Sequence, residues 1–492
     1  MVNLPRSAAL NASSLTGKVL VVGAGLAGLV ATYRLRQAGI AVDLIESRDR
    51  PGGRVFSVSN ALGTGIAAEI GGEAFDSDHA ASLTLAEALG LPLADVSTVT
   101  PDQPNTVFWA GQYADYAVLQ AELAGLLRVR SADYQAVQQF MVTAQATREI
   151  TALDGLSIST YLDQIGASKS LQGFVSLAYI IKYGVDAKEQ SCLNLLCFFR
   201  QAQDCEALFG YGDERFYIRG GNDQLPQALT AAVADCLRLN TSLVALAETS
   251  EGTYRATFGQ GEAVTEQHYD RVVLTLPFTV LRHIPLQVKL SARKRRVINQ
   301  LSSNDAIKLI TAYRGKPWRS HPSNGLAYTD LPLQHCWEAS DSLLANENGL
   351  LVAYAGGAAG RSLAQMDLAA ATQQTRDQLE QIWPGVAKAS LSREGLRSGW
   401  GADPHSLGGY TCYRVREWST FFGSEAPREG NLFFAGEHCS RVYQGYMEGA
   451  CETAEHVAWE IFRDLNLPAA AEQQERLQYQ AALRKTGFVL KG

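Results

Sequence analysis

Long hydrophobic runs are missing from this sequence: no stretch approaches the roughly 20 apolar residues that a membrane-spanning helix needs. Positive charge is not in excess either. Fifty Asp and Glu outnumber 43 Lys and Arg, for a net charge of −7, so nucleic acid and an anionic membrane surface are excluded as bulk partners. Cysteine is sparse and unpatterned: eight residues lie at 192, 197, 205, 236, 336, 412, 439 and 451, none in a C-x-x-C pair. The histidines show no zinc-ligand spacing, so reduced thiols and no metal site are expected. The segment before Lys18 lacks a charged start followed by a long apolar core. Cytoplasmic residence is therefore the default expectation, with peripheral membrane association left open. What is present suits a globular protein: 46% apolar and 19% charged residues over a length of 492, enough for two or three domains' worth of core and compatible with a homodimer.

The chain is organised around residues 18–46, KVLVVGAGLAGLVATYRLRQAGIAVDLIE. Val19 to Val22 is short, apolar and rich in β-branched residues, as in a strand buried on both faces. Gly23, Gly25 and Gly28 follow in the spacing G-x-G-x-x-G, and apolar periodicity predicts a helix from Leu26 to Gln37, stopped at Ala38-Gly39. A second strand, Ala41 to Ile45, ends in the acid Glu46. Glycines let backbone approach a pyrophosphate, the helix N-terminus faces its charge, and the acid holds a ribose hydroxyl. Dinucleotide binding is the reading; the bland alternative is a tight strand–helix turn.

Further along come a glycine–arginine loop, SRDRPGGRVFS, and the segment AAEIGGEAF. A helix is expected near His79 to Leu89, and residues 114–215 carry helical periodicity that reads as an insertion lining a substrate site. An aromatic strand then gives way to Gly220-Gly221 and a helix. Strands dominate 237–287, and residues 302–398 mix strands with a long helix near Asp367 to Trp383. The block 430–463 repeats the pattern met at the start of the chain, with the strand NLFFAG, an acid, and a helix from Met447 to Asp464. A polar helix over 470–485 follows.

In that order, VVGAGLAG with Glu46, PGGR at 51–54, EIGGE at 69–73, RGG at 219–221, FAGEH at 434–438 and GYMEGA at 445–450 resemble the flavin-containing amine oxidase family. That family includes monoamine, polyamine and L-amino acid oxidases. The resemblance spans at least 18–463 and implies an α/β architecture. A Rossmann-like FAD-binding domain would be assembled from 1–85, 215–300 and 396–470. A mixed α+β substrate-binding domain would occupy 301–395, with a helical insertion at 86–214 and a C-terminal helix or tail at 471–492. It implies FAD, with Gly23, Gly25 and Gly28 at the pyrophosphate, Glu46 at the ribose, and Arg48, Gly53 and Arg54 toward phosphate or flavin. Gly71, Gly72 and Glu73 would lie along the ring, Gly436 and Glu437 at pyrophosphate and ribitol, and Leu243, Gly445, Tyr446 and Met447 complete the cofactor set. The helix opening at Met447 would face its positive end to the flavin.

Lys308 stands in AIKLI, an apolar strand where lysine is rarely tolerated without a partner. The family's lysine of this strand holds a water beside flavin N5 that assists reoxidation by oxygen; the competing reading is an edge lysine reaching solvent. Trp400, Tyr410 and Tyr446 resemble the family's aromatic wall, a slot that favours the neutral amine. His438 and His405 read as structural. Gly409 stands where monoamine oxidases carry the flavin-linked cysteine, so FAD should be non-covalent, and attachment at the displaced Cys412 is not expected. Ala74 stands where secreted L-amino acid oxidases place a carboxylate-gripping arginine.

GGEAFDSDH resembles a bacterial branch of L-amino acid oxidases and dehydrogenases, in which Glu73 with Asp76 or Asp78 could attract a cationic side chain. The expectation is an FAD-dependent oxidoreductase that takes hydride from a primary amine, the α-amine of an L-amino acid such as arginine, onto flavin N5. The imine hydrolyses to keto acid and ammonia, and O2 or a quinone reoxidises the flavin. A monoamine or polyamine oxidase is the near alternative. A carbon–carbon desaturase and a non-catalytic carrier on the same fold are the distant ones.

Overall fold

The computed structural model describes residues 17–99, 105–114, 117–199, 212–344, 347–488 and 490. The expected polar arm before residue 17, Cys205 and part of the helical stretch fall outside them. A five-stranded sheet runs in the order 432–434, 271–274, 18–22, 41–45 and 237–238, with every neighbouring pair parallel. Val19, Leu20 and Val21 are wholly buried in it, as an apolar run covered on both faces must be. Its register aligns Val22 with Ile45 and Leu274, and Leu274 with Phe434. Gly23, Glu46, Thr275 and Ala435 therefore emerge on one edge, the crevice beyond the carboxyl ends where such sheets bind ligands.

Helix Leu26–Gln37 starts and stops where its apolar period and Gly39 place it. It packs against helix Met447–Asp464, and the buried pair Arg34–Glu455, 2.8 Å apart, ties the two together. A four-stranded sheet, in the order 263–269, 254–260, 242–248 and 286–287, flanks this unit.

A seven-stranded sheet holds the rest of the site, in the order 396–397, 307–314, 348–355, 335–338, 327–329, 106–109 and 112–113. Two expectations change here. The stretch 86–214, read as helical, opens with strands at 93–95, 106–109 and 112–113 before its helices begin at Ala117. Strand 396–397, placed by sequence in the nucleotide-binding part, pairs with 309–310 instead. These strands are two to four residues long, too brief for a period to show, and pairing partners distant in sequence make them strands. Helices between Ala117 and Leu196 pack on an aromatic core that includes Phe140, Tyr161, Phe174 and Trp418. No helix among the described residues is long and apolar enough to cross a membrane, and the seven described cysteines are all free.

Candidate active site

One cavity of about 520 Å³ runs from Gly23, Gly25 and Glu46 to Lys308, Tyr410 and Tyr446. At its first end the two glycine loops abut. Gly52 N–H donates to the Ala24 carbonyl at 2.8 Å, and a Cβ on Gly53 would lie 3.2 Å from the Gly25 Cα. Glu46, at the end of its strand, accepts from the Ala24 and Arg48 N–H groups at 2.8 and 2.9 Å, which fixes the carboxylate at the cavity wall. Gly28 is absent from the lining. A Cβ there would sit 1.8 Å from the Gly23 carbonyl oxygen, so this third glycine lets helix meet strand rather than touching a ligand. Leu243, expected at the cofactor, is buried in the hydrophobic core and also lies off the cavity lining.

The arginines are positioned by acids from remote segments. Arg48 pairs with Asp403 at 2.7 Å and donates to Ser406 Oγ at 2.9 Å. Ser47 Oγ and His405 Nδ1 share a hydrogen bond of 2.8 Å, so the 403–406 loop caps this end and His405, read as structural, lines the cavity. Arg54 pairs with Glu437 at 3.0 Å, and Glu437 also accepts from the Gly445 N–H at 2.9 Å. Burial alone would raise the Glu437 carboxyl, but the Arg54 charge and hydrogen bond, together with the Gly445 N–H and other smaller effects, hold the group below its ordinary range. His438 points away, buried against Phe278 with both ring nitrogens unpartnered; burial lowers it to about 4, so it stays neutral and structural.

In the middle of the cavity Gly71 and Gly72 present backbone. A Cβ at Gly71 would collide with the Arg54 carbonyl oxygen at 1.8 Å, and one at Gly72 with Met447 Sδ at 2.9 Å. Trp400 donates from Nε1 to the Ile70 carbonyl at 3.2 Å, bracing the same loop. Asn222, fully buried, donates from its side chain to the Gly72 carbonyl at 3.3 Å and from its backbone to Glu69 at 2.7 Å. Burial pushes the Glu69 carboxyl up to about 8, although Asn222 and Ser57 donate to it.

Lys308 lies inside its sheet, between strands 396–397 and 348–355, with 12% of its side chain exposed, which rules out the edge-lysine reading. Its Nζ donates to the carbonyls of Glu69 and Gly71 at 3.2 and 2.9 Å and to Glu73 at 2.9 Å. Glu73 is thus taken up by Lys308 and by Ser340, whose N–H donates at 3.0 Å. Burial would raise its carboxyl, but the Lys308 charge and hydrogen bond, with hydrogen bonds from Ser340 and Trp337, together hold it low. The expectation that Glu73 greets a cationic substrate is corrected: its charge is already matched.

At the far end Tyr410 and Tyr446 both line the cavity, as does Trp400. Tyr410 Oη donates to the Lys182 carbonyl at 2.9 Å and receives from Tyr354 Oη at 2.6 Å, so Tyr354 extends the wall. Burial raises the Tyr410 and Tyr354 phenols, which keeps both neutral. His79 packs edge-on against Tyr446 at 5.2 Å; its Nε2 lies 3.4 Å from Asp76 Oδ2. Asp78, the other acid expected here, receives from Tyr443 Oη at 3.0 Å instead and is off the lining.

The acids that do join Asp76 at the cavity are Asp213 and Glu214, which sequence reasoning missed. Asp213 accepts from the Ser77 N–H at 2.8 Å, and Asp76 accepts from the Glu214 N–H at 2.7 Å. The Glu214 carboxylate accepts no hydrogen bond among the described residues. Its carboxyl is pushed up to about 7 by the protein around it, with Asp76 and Glu73 adding to the rise, although the residue itself is exposed. The only sequence signal was the run GDE just before an aromatic strand. From the expected insertion, the lining residues among those described are Val96, Ser97, Asp213 and Glu214, not the helices.

The cradle of abutting glycines, the carboxylate at the strand end and the side-chain-free Gly71–Gly72 face fit a flavin dinucleotide. No cysteine lines the cavity among the described residues. A family model described as flavin containing amine oxidoreductase matches residues 26–462. The flavin-dependent L-tryptophan oxidase RebO of Lentzea aerocolonigenes is 25% identical over 474 residues, covering 89% of this chain and 96% of that protein. The flavin-containing amine oxidase B of Mus musculus is 24% identical over 464 residues, covering 90% and 85%. The structure of cyclohexylamine oxidase from Brevibacterium oxydans IH-35A superposes with a TM-score of 0.79 at 18% identity, over 92% of this chain and all of that one, a likeness of fold.

Proposed function

The chain belongs to the flavin-containing amine oxidoreductase family, and from that premise we propose that it oxidises the carbon–nitrogen bond of a primary amine whose far end is cationic. A basic L-amino acid such as arginine or lysine is the substrate class. One observation carries the reading: Asp76 and Glu214 sit together at the tyrosine end of the cavity, and the Glu214 carboxylate has no partner among the described residues. A guanidinium or ammonium supplies the missing charge and hydrogen bonds there.

FAD, the family's cofactor, would supply the acceptor for hydride from the carbon that bears the amine. Gly23, Gly25, Gly53 and Glu46 would hold its nucleotide half, Arg54 and Glu437 its middle, and Gly71, Gly72 and Met447 its ring. Binding is non-covalent on this reading, because Gly409 has no thiol to offer. Tyr354 and Tyr410, kept neutral by burial, form a wall that excludes water and disfavours an ammonium at the reacting nitrogen. The free amine leaves as an imine after giving up hydride, and water converts that imine to keto acid and ammonia.

A second reading, a diamine or polyamine, is favoured by a specific observation. Each cation lining the cavity among the described residues is already paired: Arg48 with Asp403, Arg54 with Glu437 and Lys308 with Glu73. None of them is free for a substrate carboxylate. Anaerobic mixing of the holoenzyme with arginine, agmatine, lysine, cadaverine and leucine, watching the flavin band bleach, decides. Arginine and lysine are expected to bleach it fastest. Faster bleaching by agmatine and cadaverine selects the second reading, and leucine ahead of all four refutes both.

A further inference from the structure

An ammonium has three protons to donate, and Lys308 uses them on the Glu69 carbonyl, the Gly71 carbonyl and Glu73. The other Glu73 oxygen is held by the Ser340 N–H at 3.0 Å and Oγ at 3.2 Å. The Trp337 ring covers the ammonium at 5.4 Å. The pair is shut away, with 12% and 8% of its side chains exposed. It lines the same cavity as Gly71, Gly72 and Tyr410, yet contributes almost no net charge there and no free N–H for a water.

Those two features bear on how a reduced flavin unloads. Dioxygen takes electrons one at a time, and its first product is an anion that a nearby uncompensated cation stabilises. A quinone takes two electrons and two protons, its carbonyl oxygens becoming hydroxyls, and depends less on such a charge. We propose that the Lys308–Glu73 pair disables the oxygen route and leaves a quinone-type carrier as the electron acceptor of this enzyme. The inference rests on the flavoenzyme reading above and concerns only the oxidative half of the reaction: reduced flavin plus quinone gives oxidised flavin plus hydroquinone.

The test uses holoenzyme reduced by light under argon, with no amine present, so an error about the substrate does not touch it. Reduced protein is mixed with ubiquinone-1 or with oxygen at equal concentration, and the return of flavin absorbance is followed. The expected result is reoxidation at least tenfold faster by the quinone; equal rates, or a faster reaction with oxygen, overturn the proposal. Glu73→Gln, which leaves Lys308 charged and uncompensated, should raise the oxygen rate at least tenfold and shift the flavin potential upward. The double variant Glu73→Gln/Lys308→Met, neutral again, should return the oxygen rate to within about twofold of the parent. An oxygen rate that Glu73→Gln leaves unchanged removes the pair from the explanation. If Glu73→Gln does not retain FAD, the comparison of acceptors in the parent protein stands alone. Parent protein that folds but holds no flavin overturns this inference together with the reading beneath it.

Discussion

Gly25 and Gly53, from two separate loops, meet so closely that a Cβ on Gly53 would lie 3.2 Å from the Gly25 Cα. The reverse is not true: a Cβ on Gly25 finds nothing nearer than 4.0 Å, and its φ of −70° suits any residue. The space beside Gly25 belongs to the cavity.

Gly25→Ala should therefore fold normally and bind FAD at least tenfold more weakly, because the new methyl group occupies ligand space. Gly28→Ala should fail differently, losing several kcal/mol of stability as its Cβ meets the Gly23 carbonyl. Thermal unfolding of each apoprotein alongside flavin titration separates the two; equal loss of stability in both would contradict the assignment.

Glu69 sets a pH dependence with a definite sign. Its carboxyl rises from an ordinary 4.5 to about 8 in the fold, so the folded state holds the extra proton. Stability from this group is full below pH 4.5 and is lost as pH rises through 8, an effect of about 5 kcal/mol at most. Glu69→Gln, which needs no proton, should match the parent near pH 5 and gain on it steadily toward pH 9. A melting-temperature difference that stays flat across that range refutes the prediction.

Glu214, an exposed residue raised to about 7 by the protein around it and by the Asp76 and Glu73 charges, should make the capture of a cationic substrate pH-dependent. Affinity for arginine, read from flavin spectral change, is expected to rise between pH 6 and pH 8 as the carboxylate forms. Glu214→Gln should weaken arginine by roughly 2 kcal/mol, about 30-fold, and flatten that profile. Leucine should respond to neither change. A similar loss for both amino acids would place Glu214 outside the substrate site.

With Gly409 at the attachment position and Cys412 buried beside Asn194 and the Tyr413 carbonyl, acid precipitation should leave yellow FAD in the supernatant. A yellow pellet would show a covalent bond instead.

Much of the nucleotide end was legible in the sequence because it depends on local rules. The strand–glycine–helix–strand–acid series from Lys18 to Glu46 is governed by apolar period, by glycine conformation and by a cap, all within one continuous stretch. The helix bounds Leu26–Gln37 and Met447–Asp464 came directly from those signals. Lys308 was conspicuous for the same reason, a charge inside an apolar strand. The two-residue strand 396–397 was not legible, since nothing local distinguishes it until it pairs with 309–310.

By itself, then, the sequence determined the family and the α/β architecture, because both rest on residue type and short spacing. Only the tertiary structure decided which charges remain available. It matched Lys308 to Glu73 across 235 residues and Arg54 to Glu437 across 383, and it left the Glu214 carboxylate beside Asp76 with no ion pair or hydrogen bond among the described residues. An ionisable side chain's role depends on what stands within a few ångströms of it, and in this chain those neighbours come from segments hundreds of residues away.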